Sequence, residues 1–267
     1  MTKALIFPSL VLLSLWVIPH LVAAESFDCV VNPNATVELG SHHDGILDEL
    51  LVKRGDHVKI GQPLARLDSE MEAISVELAR IRADSDIAVR SSQIQVKFRA
   101  REHHRLESLR DNQSVSASVY EQAEIEHGLA KLALDSARLE RVVAQMEYSR
   151  ARAQLERRTI KSPVDGVVVA LEMSPGEYVH DQSTLMSIAA IDPLHVEVYL
   201  PVTSYGAIVK GVAATVRPEQ PIGGEYPATV VVVDQVFDAA SRTFGVRLEL
   251  SNPEFELPGG LRCIVEF

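Results

Sequence analysis

Five of the nine histidines fall at three places along the chain: His42 and His43, His103 and His104, and His127. Imidazole is a common ligand of transition metals, so three such rings brought together would make a cation site. His103, His104 and His127 are the set that could converge, provided that the segments carrying them run side by side. The competing reading is solvated surface histidine. Met71, Met146, Met173 and Met186 could add soft sulfur ligands, but as isolated methionines they serve packing equally well. Cys29 and Cys263 are the only cysteines, and their spacing matches no zinc motif. An oxidising compartment would let them pair if the fold joins the two ends of the chain, and two buried thiols are the alternative. There is no nucleophile, base and orienting group in a recognisable pattern, no glycine-rich phosphate loop and no HExxH. The stretch GGEYPATV at 223–230 follows a proline turn instead of opening a helix. The chain therefore reads as a non-enzyme, with no metal and no cofactor assigned.

Whether the histidines can meet depends on the segment between Pro63 and Pro163, which contains no internal proline and a single glycine, Gly128. Both flanks are rich in glycine, proline and β-branched residues, so the composition change marks a helical insert between β regions. Ser69 with Glu72 and Ser118 with Glu121 have capping-box spacing, which predicts two helix starts and hence two antiparallel helices. The stretch DNQSVSAS at 111–118 supplies the turn. Leu67, Met71, Ile74, Leu78 and Ile81 alternate spacings of four and three, as do Ile125, Leu129, Leu132, Ser136, Leu139, Val143 and Met146. These are expected to form the seam of a coiled coil. The first arm is weak at Ser85, Ala88, Ser92 and Gln95, so its seam loosens there or shifts to Ile87, Ile94 and Phe98. Helices of this length would extend about 60 Å.

The flanks of the insert carry one module twice. DGILDELLVKRGDHVKIGQPLARL at 44–67 recurs without a gap as DGVVVALEMSPGEYVHDQSTLMSI at 165–188. In both copies a short apolar run leads to a glycine turn, Arg54-Gly55-Asp56 and Pro175-Gly176-Glu177. Val58, Leu64 and Leu67 correspond to Val179, Leu185 and Ile188, so both copies offer the same inward positions. Neither copy can close a core alone, and mutual packing would set the ends of the insert side by side. Beyond Ile191, five strand-like runs separated by turn residues suggest a small barrel or sandwich, completed by CVVNPNATVEL from the start of the chain.

Residues 1–24 carry one lysine, an apolar run and small residues up to Ala24, the layout of a cleaved export signal. An uncleaved membrane anchor is the alternative. The formal charge is −11, and loss of Lys3 with this segment makes it one unit more negative. No basic cluster remains to neutralise phosphates, so nucleic-acid binding is excluded.

The duplicated half-motif, split by a helical hairpin and followed by a β-barrel, resembles the periplasmic adaptor or membrane fusion proteins of tripartite efflux systems, the HlyD-like family. The resemblance rests on DGILDELLVKRGDHVKIGQPLARLD, TIKSPVDGVVVALEMSPGEYV and DAASRTFGVRLELSNPEFELPGGLRCIVEF. It implies an α+β fold: a split lipoyl-like β domain with an inserted coiled-coil hairpin, plus a small antiparallel β-barrel. The expected boundaries are a signal at 1–24, an N-terminal barrel strand at 25–36, lipoyl-like halves at 37–68 and 159–190, the hairpin at 69–158 and the barrel at 191–267. Gly45, Gly55, Gly61, Pro163, Gly166 and Gly176 would shape the turns of the two halves. The lysine that bears lipoate or biotin in carrier domains is missing from the junction LDSEMEAIS, so covalent carriage is not expected. Arg105, Leu109 and Ser116 match the spacing of the family's tip motif for docking on a TolC-like outer-membrane channel. Their competing reading is a helix-end arginine, a seam leucine and a serine near a helix start. The resemblance also implies an inner-membrane transporter of resistance-nodulation-division or ABC type, contacted mainly through the barrel and lipoyl-like surfaces. It further implies a periplasmic location at the inner membrane and a homo-oligomer, commonly a hexamer. The competing function is a periplasmic metal-binding protein or metal-efflux adaptor that uses His103, His104 and His127.

Overall fold

The computed structural model describes residues 25–111 and 114–267. The expected export signal at 1–24 lies outside the described residues. In chain order the elements are β1 (Ser26–Gly40), β2 (Gly45–Leu50), β3 (His57–Val58), β4 (Pro63–Leu67), α1 (Glu70–Asp84), α2 (Ile87–Asp111) and α3 (Ala117–Glu156). There follow β5 (Thr159–Lys161), β6 (Gly166–Leu171), β7 (Tyr178–Val179), β8 (Thr184–Pro201), β9 (Ala213–Pro218), β10 (Tyr226–Val233), β11 (Thr243–Leu250) and β12 (Leu261–Glu266). The chain divides into two compact units, Pro33–Asp192 and the remainder, so β1 and β8 contribute residues to both.

In the unit Pro33–Asp192 the repeated halves exchange strands. β2 of the first half pairs with β7 of the second, Gly45 opposite Val179, and β3 pairs with β6, His57 opposite Val167. Val58, Leu64 and Leu67 share one buried core with Val179, Leu185 and Ile188, as the matched repeats predict. Neither half could bury these side chains alone. Gly55 and Gly176 occupy equivalent left-handed turns at φ 91° and 92°, a conformation that costs other residues roughly 1–2 kcal/mol. Gly166 answers to a different constraint. A Cβ there would lie 2.3 Å from the Ala189 carbonyl oxygen on β8, so glycine allows two strands to close on each other.

Among the described residues three helices, not two, stand between the halves. Ser85 is extended, at φ −71° and ψ 121°, and separates α1 from α2. Asp84, Ser85 and Asp86 form a run whose short polar side chains compete with helical hydrogen bonding, which accounts for the interruption. Neither expected capping box forms. Ser69 makes no side-chain cap bond, the Glu70 N–H donates to Asp68 Oδ1 at 3.2 Å, and Glu72 is engaged by Arg158. The N-cap position of the last helix is Ser116, two before the predicted serine, and its side chain makes no cap bond.

The seam also differs from the expected one. Leu67 belongs to the β core, while Met71, Ile74, Leu78 and Ile81 are exposed, as are Ile125, Leu129, Leu132, Leu139, Val143 and Met146. The alternative positions Ile87, Ile94 and Phe98 are exposed too. Between the arms Val89 packs instead with Leu134 and Ala137, with Val96 against them, and Ala83, Ala123 and Ala130 are the other buried side chains along these stretches of the helices. Small side chains let two helices approach closely, and larger ones in the same places would hold them apart. A seam alanine removes about one methyl from water, near 0.8 kcal/mol, whereas burying each outer leucine or isoleucine would be worth about 1.5–3 kcal/mol. The single chain leaves that greater stabilisation unrealised.

The second unit is a ring of antiparallel strands in the order β1-β12-β9-β10-β11-β8, with β1 also paired to β8. Alternation builds its interior. Leu194, Val196, Val198 and Leu200 of β8 are fully buried, as expected where every second side chain faces inward. These are the five strands expected beyond Ile191, completed by one from the start of the chain. Cys29 and Cys263 lie opposite each other on β1 and β12 and are joined by a disulfide. Asn252 pins the segment before β12, donating to the Leu257 carbonyl at 2.9 Å and accepting its N–H at 3.1 Å.

Candidate docking site at the hairpin tip

The last turns of α2 and the first of α3 carry the residues singled out in the sequence. Arg105 and Leu109 are exposed on α2, and Ser116, also exposed, stands at the N-cap position of α3 with φ −73° and ψ 152° and no side-chain cap bond. The Ser116 hydroxyl lies 3.1 Å from that of Ser118. The Ser108 hydroxyl donates to the Arg105 carbonyl at 2.8 Å, and the Ser114 N–H donates to the Leu109 carbonyl at 3.0 Å, which closes the last turn of α2. Arg105 thus presents a forked donor, Leu109 an apolar knob and Ser116 a small hydroxyl at one end of the hairpin. Such a surface can seat the ends of other helices.

Just below the tip the contact between the arms turns polar. His103 Nε2 lies 3.2 Å from the Tyr120 hydroxyl, and the His103 and His127 rings are 5.7 Å apart. Arg110 stacks over Tyr120 at 4.0 Å. Arg99 Nη1 donates to Glu102 at 2.8 Å and to Glu126 at 2.7 Å, tying the arms together. Desolvation, then the charges of Lys131 and His103, hold His127 below the usual histidine pKa. The histidine trio expected as a metal candidate is not assembled. His104 turns away to Glu107 at 3.4 Å with its side chain 86% exposed, because i and i+1 on a helix cannot face the same partner. Among the described residues no group of three or more His, Cys, Asp or Glu side chains is placed to hold a metal ion.

At the opposite end Arg158 ties the insert to the β domain, donating to Glu72 at 2.5 Å and to the Asp44 carbonyl at 2.8 Å. A Cβ on Gly45 would lie 2.8 Å from that guanidinium, so Gly45 leaves room for the clamp and opens β2 instead of forming a turn. Gly61 is left-handed at φ 79°, and Pro163 lies in the bend between β5 and β6. Sequence reasoning missed this clamp, although Glu72 and Arg158, 86 positions apart, stand at the two ends of the insert and invited it.

Strands exchanged between two half-modules around an inserted helical hairpin define a barrel-sandwich hybrid domain, and a six-stranded barrel accompanies it. Residues 35–190 match the CzcB-like barrel-sandwich hybrid domain, and the chain belongs to that family. The fold is similar to that of MacA from Actinobacillus actinomycetemcomitans, with a TM-score of 0.68 and 21% identity over 91% of this chain and 77% of that one. It is also similar to the membrane fusion protein Spr0693 of Streptococcus pneumoniae R6, with a TM-score of 0.61 and 17% identity over 91% and 98%. An uncharacterized protein of Haemophilus influenzae is 23% identical over 212 residues, 79% of this chain and 48% of its own length. The chain thus spans about half of that relative. Among the described residues no helix is long and apolar enough to cross a membrane.

Proposed function

We propose that the protein is the periplasmic adaptor of a tripartite efflux or secretion system, held at the inner membrane beside a transporter and docked by its hairpin tip onto a TolC-like outer-membrane channel. The observation that carries this reading is the tip itself: Arg105, Leu109 and Ser116 share one exposed end of a hairpin whose 40-residue helix spans about 60 Å. The base of that hairpin is clamped to the β domain through Arg158. Its work is mechanical, since it positions two membrane proteins and carries out no chemistry of its own. Copies of the chain act together, with a hexamer as the expected number. The transporter, of resistance-nodulation-division or ABC type, meets the β surfaces. The barrel offers the exposed rings of Tyr205 and Phe237 for this, 4.8 Å apart over the buried Phe244, with Val236 at 85% exposure next to Phe237 in the chain.

The test is in-cell photo-crosslinking from Gln113, between the arms in sequence, with mass spectrometry of the captured species. Capture of an outer-membrane channel, lost in Leu109→Asp and Ser116→Arg, is the expected outcome. Capture of nothing beyond the chain itself, while a probe on the barrel does capture a partner, would overturn tip docking. Metal binding by the histidines has no comparable support, because His104 faces away from His103 and His127.

A further inference from the structure

The tip holds one cation that the sequence motif does not include. Further down α2, Arg99 is engaged, its Nη1 donating to Glu102 at 2.8 Å and to Glu126 at 2.7 Å. Arg110, exposed in the last turn of α2, makes no ion pair among the described residues. Its guanidinium lies instead over the ring of Tyr120, 4.0 Å from the centroid. An ion pair occupies guanidinium N–H donors, whereas a ring face holds the plane and leaves the donor edge open. A guanidinium fixed in place with its donors unused is pre-organised for an acceptor from outside the chain.

Tyr120 is itself fixed from both helices. Its hydroxyl lies 3.2 Å from His103 Nε2, and the two rings are 5.1 Å apart at 40°. His103 and Arg110 are separated by about two helical turns, so both project from the face of α2 that meets α3. On α3 the Tyr120 N–H donates to the Ser116 carbonyl at 3.4 Å, which sets the ring one turn beyond Ser116. On α2 Leu109 directly precedes Arg110, and its carbonyl accepts the Ser114 N–H at 3.0 Å. The stack of Arg110 on Tyr120 therefore joins the turn that carries Leu109 to the turn that carries Ser116. The helix dipole favours a positive charge at this end of α2, but it does not account for stacking on the neighbouring helix. A lysine would satisfy the dipole equally well and would present no planar fork.

We infer that Arg110 is a fourth docking residue, held in place by Tyr120, and that its open donor edge takes a carboxylate at the facing end of the outer-membrane channel. The inference rests on the tip docking proposed above and names the chemistry of the partner. A carboxylate accepts two parallel N–H bonds from a guanidinium, a match that a single carbonyl or hydroxyl cannot make. The acidic side chains nearest in the chain do not supply it: Glu107 is turned to His104 at 3.4 Å, and Asp111 forms no ion pair with Arg110. Tyr120 is a positioning residue, since it acts through the plane of the arginine.

The test is quantitative capture from a photo-crosslinker at Gln113 of the full chain in its own cells, read as channel captured per chain. Arg110→Lys and Arg110→Glu should each lower capture about tenfold or more, as loss of a charge-assisted pair implies. Both should melt like the unsubstituted chain, because Arg110 is exposed. Tyr120→Phe keeps the ring face and should stay within about threefold, whereas Tyr120→Ala should fall with the arginine variants. The captured channel peptide should contain Asp or Glu, and its exchange for Arg should restore capture by Arg110→Glu. Capture by Arg110→Lys at the unsubstituted level would leave Arg110 to the helix dipole and overturn the inference. A captured peptide without Asp or Glu would overturn the carboxylate. Equal losses in Tyr120→Phe and Tyr120→Ala would make the bond to His103 the working contact and overturn the role of the stack. Leu109→Asp is read in parallel: capture lost there but kept in Arg110→Glu removes this inference alone, and capture kept in both removes tip docking itself.

Discussion

His127 makes the hairpin sensitive to acid, and the direction follows from its surroundings. Burial, Lys131 and His103 disfavour its charged form, so the unfolded chain takes up this proton before the folded one does. The contribution of the neutral ring is present above the ordinary histidine pKa and is lost as pH falls through about 6.5. Tyr120, Arg99 and Glu126 border the same layer. Protection of the α2 and α3 amides, corrected for their intrinsic exchange rates, should therefore fall as pH drops below about 6.5, and His127→Gln should flatten that dependence. An unchanged pH profile in His127→Gln would assign the effect to other groups. Arg158 offers a second residue-scale test. Its bonds to Glu72 and the Asp44 carbonyl lie where both side chains are about one-fifth exposed. Arg158→Met should cost about 1–3 kcal/mol in urea unfolding, because it leaves Glu72 and a backbone carbonyl without their donor.

At the scale of elements, Gly166 and Gly55 separate two uses of one residue type. Alanine at Gly166 must push β6 from β8, since its Cβ would stand 2.3 Å from a backbone oxygen, and a loss of more than about 2 kcal/mol is expected. Alanine at Gly55 meets nothing within 4 Å and is strained only by φ 91°, so about 1 kcal/mol should suffice. Equal losses in chemical denaturation would undo this distinction. The seam can be tested in the same way. Ala137→Leu should destabilise the isolated chain by about 1–3 kcal/mol through overpacking, while Leu139→Ala should change it by less than about 0.5 kcal/mol. The reverse order would restore the large side chains to the seam. The helical insert and its antiparallel arms were legible from composition and periodicity, but the break at Ser85 was legible only as a weak stretch, because Asp and Ser lower helix propensity without forbidding a helix.

For the molecule as a whole, the repeats foretold the shared core of Val58, Leu64, Leu67, Val179, Leu185 and Ile188, and the barrel strands were visible as runs between turns. The disulfide was open in the sequence because 234 residues separate its ends and only the pairing of β1 with β12 sets Cys29 opposite Cys263. Replacing both by serine should cost the barrel about 2–5 kcal/mol, read as a lower denaturant midpoint. An unchanged midpoint would mean that β1 is held by its strand pairing alone.

The sequence by itself determined the doubled β module, the helical insert between its copies and the barrel after it, because repeats, turn residues and hydrophobic period are properties of the linear order. It also placed Arg105, Leu109 and Ser116 near one turn. Tertiary structure alone decided which helix faces meet. A period of three and four was present in the large apolar residues and again in the alanines, and periodicity states which residues share a face without stating which face is inside. Close approach of the arms selected the alanines, and the large side chains were left at the edges of the hairpin.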